Sequence, residues 1–95
     1  MLSINEAKYI GDYNLCLIFN NGKEGIANLK QTIFNDKRPI FLELKEESNF
    51  SNFKVSHSTV VWFNELDLSP EYLFYLVFKE DESFKEKFKA WGYLV

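Results

Sequence analysis

Three groups of residues in this 95-residue chain could take part in chemistry. The first is His57, the single histidine, which is a candidate for general acid–base catalysis because an unperturbed imidazole titrates near neutral pH. Its neighbours Ser56, Ser58 and Thr59 offer hydroxyls. Adjacent residues of a hairpin point in different directions, however, and do not form a nucleophile–base pair. We therefore interpret His57 as a solvated turn residue.

The second group lies between a predicted strand and a predicted helix, a place where binding residues are often found. Its carboxylates are Glu65, Asp67 and Glu71. They could bind a cation or act as an acid–base pair, and Trp62 could line a ligand pocket beside them. Asn64 and Asp67 also suit a structural role, because Asn and Asp side chains satisfy backbone donors in turns. We favour the structural role and keep a small-ligand or weak enzymatic site near Trp62, Asn64 and Asp67 as the alternative.

The third group is the lone Cys16. A single cysteine forms no internal disulfide, and one Cys with one distant His gives no metal-ligand pattern. The sequence therefore predicts no metal, no cofactor and a reducing, cytoplasmic location. The N-terminus lacks the basic and apolar regions of a secretory signal, and no apolar run approaches the roughly 20 residues that span a bilayer.

The composition predicts a folded domain with a core rich in aromatic residues. Hydrophobic residues make up 46% of the chain and aromatic residues 18%. The formal charge is −3, with Lys and Arg scattered among more numerous Asp and Glu. Such a chain has no long-range attraction for phosphate backbones, so we expect no direct binding to nucleic acid.

Alternating apolar residues and turn signals predict five antiparallel strands. They cover residues 2–10, 13–20, 23–28, 53–55 and 59–63. Gly11-Asp12 and Asn21-Gly22 are hairpin signals, the second typical of a type I′ turn. Leu15, Leu17 and Phe19 occupy alternate positions and give the second strand an apolar face. The sequence predicts an α+β fold, with an antiparallel β-meander of about five strands, short helices and a C-terminal helical segment.

Short helices are predicted over residues 29–34 and 39–44. The residues of the first that are expected to face the sheet are Leu29, Ile33 and Phe34. Pro39 suits the first turn of the second, where no amide donor is needed. A further helix begins at Ser69-Pro70-Glu71, because Ser caps an amide and Pro supplies helical φ.

The sequence pattern of the C-terminal segment, residues 77–95, predicts a last helix that packs on the same domain. Ser83 and Glu86 have the spacing of a capping box, and Gly92 is suited to end the helix. Its apolar face is formed by Phe84, Phe88 and Trp91. Core packing is the simplest role for such a stripe, and a groove for a protein partner is the alternative.

The central strands carry apolar residues on both faces. By their alternation Ile18 and Phe63 lie on one face, and Phe19 and Trp62 lie on the other. A sheet with few helices needs cover for its second face, which either the terminal helix or another chain supplies. The simplest second chain is another copy, in a homodimer. The first functional hypothesis is therefore a non-enzymatic protein-interaction module. The speculative ligand- or partner-binding residues are Trp62, Asn64, Asp67, Phe84, Phe88 and Trp91.

Two stretches of the chain together resemble the domain of unknown function 2442 family. Residues 19–29, which begin Phe19-Asn20-Asn21-Gly22, resemble that family's Phe-x-x-Gly hairpin and the Asp-Leu after it. Residues 60–73 are similar to a second signature, in which a strand Trp is followed by Asn, Asp-Leu, Pro and Leu. With Phe41-x-x-Leu44 the resemblance covers residues 1–76. Asn28 stands where the family has aspartate, and Phe63 where it has proline.

The resemblance implies a small bacterial α+β domain without an established activity. Some members look like partners in toxin–antitoxin-like pairs, and others precede a helix-turn-helix domain, which this chain lacks. It implies a regulatory, antitoxin-like role through a protein partner. Residues 77–95 lie beyond the resemblance.

Overall fold

The computed structural model describes residues 1–95 and confirms the α+β class. Its strands are β1 (Ile4–Tyr9), β2 (Asn14–Phe19), β3 (Glu24–Asn28), β4 (Phe53–Ser56) and β5 (Thr59–Trp62). Its α-helices are α1 (Lys30–Asn35), α2 (Pro39–Leu42), α3 (Glu47–Phe50), α4 (Pro70–Phe78) and α5 (Lys85–Ala90). Two 3-10 turns, Glu43–Lys45 and Glu82–Phe84, follow α2 and precede α5.

The five predicted strands are confirmed, and they divide into two antiparallel sheets. The first sheet has the order β1-β2-β3, and the second pairs β4 with β5. The sheets meet at β1, where the amide of Ile4 donates to the carbonyl of Ser58 over 2.8 Å. The two hairpins are therefore packed beside each other, and β3 is an edge strand.

A β-bulge in β1 keeps its apolar residues on the core side. Ile4 lies opposite Phe19, but the next pair is Glu6 with Ile18, so the bulged strand has one extra residue. Without this bulge the residues after Ile4 would switch faces. Ala7 consequently lies opposite the buried Leu17.

The turn between β1 and β2 is centred one residue later than predicted. The amide of Asn14 donates to the carbonyl of Gly11 over 3.0 Å, and the central residues Asp12 and Tyr13 both have positive φ. Two central residues with positive φ are the mark of a type I′ turn. With this turn the Tyr13 hydroxyl donates to the carbonyl of Lys45.

The predicted type I′ turn at Asn21-Gly22 is wrong, although the hairpin itself is confirmed. The amide of Gly22 donates to the carbonyl of Phe19 over 3.0 Å, and that of Phe19 to the carbonyl of Lys23 over 2.9 Å. Only Gly22 has positive φ. The connection is a three-residue loop with a glycine bulge, which needs left-handed backbone at its last residue alone.

The core lies between the first sheet and the helices. Its fully buried side chains include Leu15, Leu17, Phe19, Leu29, Ile33, Phe50, Trp62, Leu73, Phe74 and Phe88. Helix α4 covers β3 closely, because a Cβ added to Gly25 would lie 2.4 Å from Cγ1 of Val77. Helix α4 also crosses the boundary predicted at residues 76 and 77, so that boundary does not divide the structure.

The helix starts follow the sequence in two cases out of three. Oγ of Ser69 accepts the amide of Tyr72 at 3.1 Å, and Pro39 occupies the first position of α2, as predicted. The predicted capping box of the last helix is wrong. Both the amide and the hydroxyl of Ser83 donate to Oδ1 of Asp81, so Ser83 belongs to the 3-10 turn before α5. None of the helices has the length and apolar character needed to cross a bilayer.

Candidate functional site

Trp62 is a core residue at the end of β5. Its side chain is 2% exposed, and its indole Nε1 donates to the carbonyl of Phe50 over 2.7 Å. The indole packs between Phe50 and Phe53, with ring centroids 5.7 and 6.1 Å away. A buried indole finds a partner for its single donor in this way. Trp62 thereby fixes the end of α3 to the second sheet, and its only polar atom is occupied.

Asn64 joins the turn after β5 to helix α2. Its Nδ2 donates to the carbonyl of Ile40 over 3.0 Å, and its Oδ1 accepts the amide of Leu66 at 3.2 Å. Glu65, between them, has a φ of 68°. The amide side chain therefore stabilises a strained turn and ties it to a helix distant in sequence. Both of its polar atoms are used within the chain.

Asp67 has an exposed side chain and no hydrogen bond through its carboxylate, while its backbone forms an isolated β-bridge with Val61. It lines a shallow groove of about 450 Å³ on the second sheet. Other residues of this groove include His57, Glu65, Lys54, Phe53, Phe63 and Trp62. The structure thus brings Trp62 and Asp67 to one groove and leaves Asn64 outside it.

His57 lies at the tip of the β4–β5 hairpin. It and Ser58 both have positive φ, which confirms the predicted turn between these strands. No hydrogen bond joins its imidazole to Asp67 or Glu65. A base needs a neighbouring group to orient it and a reacting group within reach, and the groove provides neither arrangement. No cluster of three His, Cys, Asp or Glu side chains has metal-binding geometry.

The titratable groups whose pKa departs from its ordinary value lie outside this groove. Hydrogen bonds from the Arg38 side chain lower the pKa of Asp36, and hydrogen bonds from Ser83 lower that of Asp81. Desolvation, together with a hydrogen bond to Glu47, raises the pKa of Tyr9. The Asp36 and Asp81 shifts arise from contacts within a turn or a helix end, and the Tyr9 shift arises first from desolvation. None of them marks an acid–base centre.

The aromatic residues of the C-terminal segment pack on helix α4. Phe88 is fully buried, and the rings of Phe84 and Trp91 lie 5.1 and 6.1 Å from that of Phe74. Nζ of Lys87 lies 5.6 Å from the Trp91 ring, a cation–π contact that covers the cluster from outside. The three predicted partner residues are therefore brought together, but against this chain's own helix.

The outer face of the first sheet remains uncovered. The outer face consists of the apolar residues of this sheet that point away from the core, together with the neighbouring Val55 of β4. The residues of the sheet are Ile10, Cys16, Ile18 and Ile26. Ile26 is 54% exposed and Ile10 46%. A groove of about 550 Å³ runs along the face beside Cys16, Ile18 and Val55. Sequence reasoning assigned only Ile18 of this set to a second apolar face.

The sequence did contain a signal for the outer face. In β3 the inward residues Gly25 and Ala27 are small, and the single large apolar residue, Ile26, is in the outward register. An exposed strand face more often carries polar residues at such positions. The pattern in Glu24–Asn28 therefore marks an unusual outward face once the register of β3 with β2 is known.

The fold and these side chains describe a small α+β domain in which the best candidate site is an apolar surface, with no catalytic set beside it. The chain belongs to the DUF2442 family, described as proteins of unknown function, because the family model matches residues 4–79. Comparison with curated proteins gives no match, and neither does comparison with solved structures.

Proposed function

We propose that this chain is a non-enzymatic, bacterial protein-interaction module of a regulatory, antitoxin-like kind, and that the outer face of the first sheet is where a partner protein docks. The single observation that supports the proposal is the exposure of Ile26 and Ile10 on a sheet face that no element of the chain covers. Contiguous exposed apolar residues on a small domain are typical of interaction surfaces.

The arrangement of charges around the outer face also supports docking of a protein. Glu6, Lys8 and Glu24 are exposed residues in the same outward register as Ile18 and Ile26. They surround the apolar centre with charges of both signs. An apolar core with a polar rim is the usual composition of a protein–protein interface. A nucleic-acid surface would instead need a basic stripe.

The terminal helix does not compete for this face. Helix α5 packs on α4, on the core side of the first sheet, where Phe88 and Phe74 have ring centroids 6.3 Å apart. The sequence left two candidates to cover the second face of the sheet, the chain's own terminal helix and another chain. The position of α5 therefore favours another chain. The thiol of Cys16 is free and half-buried on this face, which fits a reducing compartment such as the cytoplasm.

The alternative, a ligand or weak enzymatic site near Trp62, Asn64 and Asp67, has less support. The polar atoms of Trp62 and Asn64 are bonded to backbone groups, and the Asp67 carboxylate is the only one of the three side chains left with free polar atoms in the groove. A site that orients a substrate requires several convergent polar groups. The second-sheet groove offers two exposed carboxylates, Glu65 and Asp67, and the exposed His57, and no hydrogen bond joins these side chains into a set.

The experiment is purification of the tagged chain from its native host at natural expression levels. We expect a second protein to be retained in stoichiometric amount, and Ile18→Lys to abolish its retention by placing a charge in the centre of the outer face. The matched control is Phe63→Lys, because Phe63 is 44% exposed on the other sheet. Retention that survives Ile18→Lys, or the absence of any stoichiometric partner, would contradict the proposal.

A further inference from the structure

Strand β3 leaves one row of backbone groups without partners. Hydrogen bonds from Phe19 to Lys23 and from Leu29 to Tyr13 close the two ends of the β2–β3 ladder. In an antiparallel ladder bonded and non-bonded pairs alternate, so Gly25 and Ala27 bond to β2. The peptide groups of Glu24, Ile26 and Asn28 then point to the free edge, where no further strand lies.

This edge has few of the features that protect edge strands. Such strands usually carry a proline, charged side chains, an inward charge or a covering element, and of these β3 has a single charge, Glu24. Residues 24–28 contain no proline, and their inward positions are Gly25 and Ala27. Beside Asn28 the edge opens into a groove of about 1020 Å³ between α1 and α4, and Glu24, Ile26 and Asn28 are all exposed. An uncovered edge with an exposed isoleucine favours pairing with another strand.

The edge is complementary to itself. If two copies of β3 pair antiparallel about Ile26, Glu24 of one copy lies opposite Asn28 of the other. Asn28 donates one proton of Nδ2 to Oδ1 of Asn14 over 2.8 Å, which leaves its second proton for an acceptor. Glu24 forms no ion pair within the chain, so its carboxylate is available to accept. Opposed pairs of this kind stabilise sheets, and no like charges face each other in this register.

We infer that β3 pairs antiparallel with β3 of a second copy of this chain, which joins the two first sheets into one continuous sheet. The two Ile26 side chains then meet on the outer face and extend its apolar stripe across both copies. The inference rests on the proposed function in one respect: the homodimer doubles the surface offered to the partner protein.

The first test is sedimentation of the full chain over a range of concentrations, comparing wild type with Ile26→Pro. Proline removes the amide that points to the free edge and leaves the β2–β3 ladder intact. By symmetry two intermolecular hydrogen bonds are lost, so we expect the dimer dissociation constant to rise at least about tenfold. Circular dichroism confirms whether the variant is folded.

The second test does not depend on how proline is tolerated. Residues that form a hydrogen-bonded antiparallel pair have Cα atoms about 5.5 Å apart, which suits a disulfide. Ile26→Cys in a Cys16→Ser background should therefore oxidise to a covalent dimer. Val55→Cys in the same background is the matched control, since Val55 is 37% exposed on the outer face but away from the edge.

A wild-type dimer, together with a covalent dimer formed by Ile26→Cys but not by Val55→Cys, supports the inference. A wild-type monomer at all concentrations overturns it. A dimer that Ile26→Pro does not weaken and Ile26→Cys does not cross-link also overturns it. If the monomer still retains a partner protein that Ile18→Lys releases, the edge pairing fails and the proposed function stands. If the dimer forms and no partner is retained, the edge pairing stands and the proposed function fails.

Discussion

The contact between Gly25 and helix α4 gives the sharpest prediction about stability. Gly25 faces the core opposite Leu17, and a Cβ at this position would lie 2.4 Å from Cγ1 of Val77. That separation is about 1 Å or more below ordinary van der Waals contact of 3.4–4 Å. Gly25→Ala must therefore push α4 away from the sheet or force Val77 from its rotamer.

Overpacking of this kind costs about 1–3 kcal/mol. Replacing a strand glycine by alanine stabilises the protein by about 0.5–1 kcal/mol, because it lowers the conformational entropy of the unfolded chain. From the middle of both ranges, we expect Gly25→Ala to lower the free energy of unfolding by about 1 kcal/mol and Tm by about 4–8 °C. Val77→Ala alone should cost about 1 kcal/mol, because it removes two half-buried methyl groups. Without the overlap only the gain from the strand alanine remains, so the double variant should be about 0.5–1 kcal/mol more stable than Val77→Ala alone.

Urea unfolding, followed by the fluorescence of Trp62 and Trp91, measures the cycle. The control is Gly11→Ala, because Gly11 has a φ of 93° and nothing within 4 Å of an added Cβ. Its cost arises from backbone strain, so Val77→Ala should not relieve it. Additive effects of Gly25→Ala and Val77→Ala, or no loss of stability in Gly25→Ala, would refute the close approach of α4 to β3.

Three further predictions follow from single contacts. Trp62→Phe leaves the carbonyl of Phe50 buried without its donor and should cost about 1–3 kcal/mol in urea unfolding, whereas an unchanged midpoint would contradict the core role of the indole. Ser69→Ala removes the cap of α4 and should cost about 1 kcal/mol, with Ser69→Asp restoring it; equal stability of the two variants would contradict the cap. Asp36 should titrate below its ordinary pKa in an NMR titration, and Arg38→Gln should raise that pKa. Because the folded-state pKa is lowered, the pair stabilises the folded protein at pH values above the unfolded-state pKa. This contribution disappears as the pH falls through the folded-state pKa. The same midpoint in both proteins would contradict it.

The sequence was sufficient for features that depend on local chemistry. Alternation in residues 13–20 located β2, and Ser69 with Pro70 located the start of α4, because caps and alternation act over a few residues. Turn geometry was predicted less well. Asn21-Gly22 favours a type I′ turn in isolation, but the pairing of Phe19 with Lys23 adds a residue to the loop. The bulge between Ile4 and Glu6 left no local signal.

The candidate sites differ in how far sequence could define them. Asn64 was correctly interpreted as a turn residue, yet its bond to the carbonyl of Ile40 joins segments that only the tertiary fold brings together. Ser83 shows the opposite error, because a neighbouring Asp81 competes for its amide and displaces the capping box. The outer face was predicted only as an uncovered second face. Its members, above all Ile26, depend on register between strands.

The most direct test of the central proposal uses Cys16, the only thiol of the chain, which lies half-buried on the outer face. The measurement is the rate of maleimide labelling of Cys16 in the assembly purified from the native host, compared with the same chain stripped of bound protein. If a partner docks on the outer face, labelling in the assembly should be at least about tenfold slower. Equal rates in the two samples would contradict the proposal.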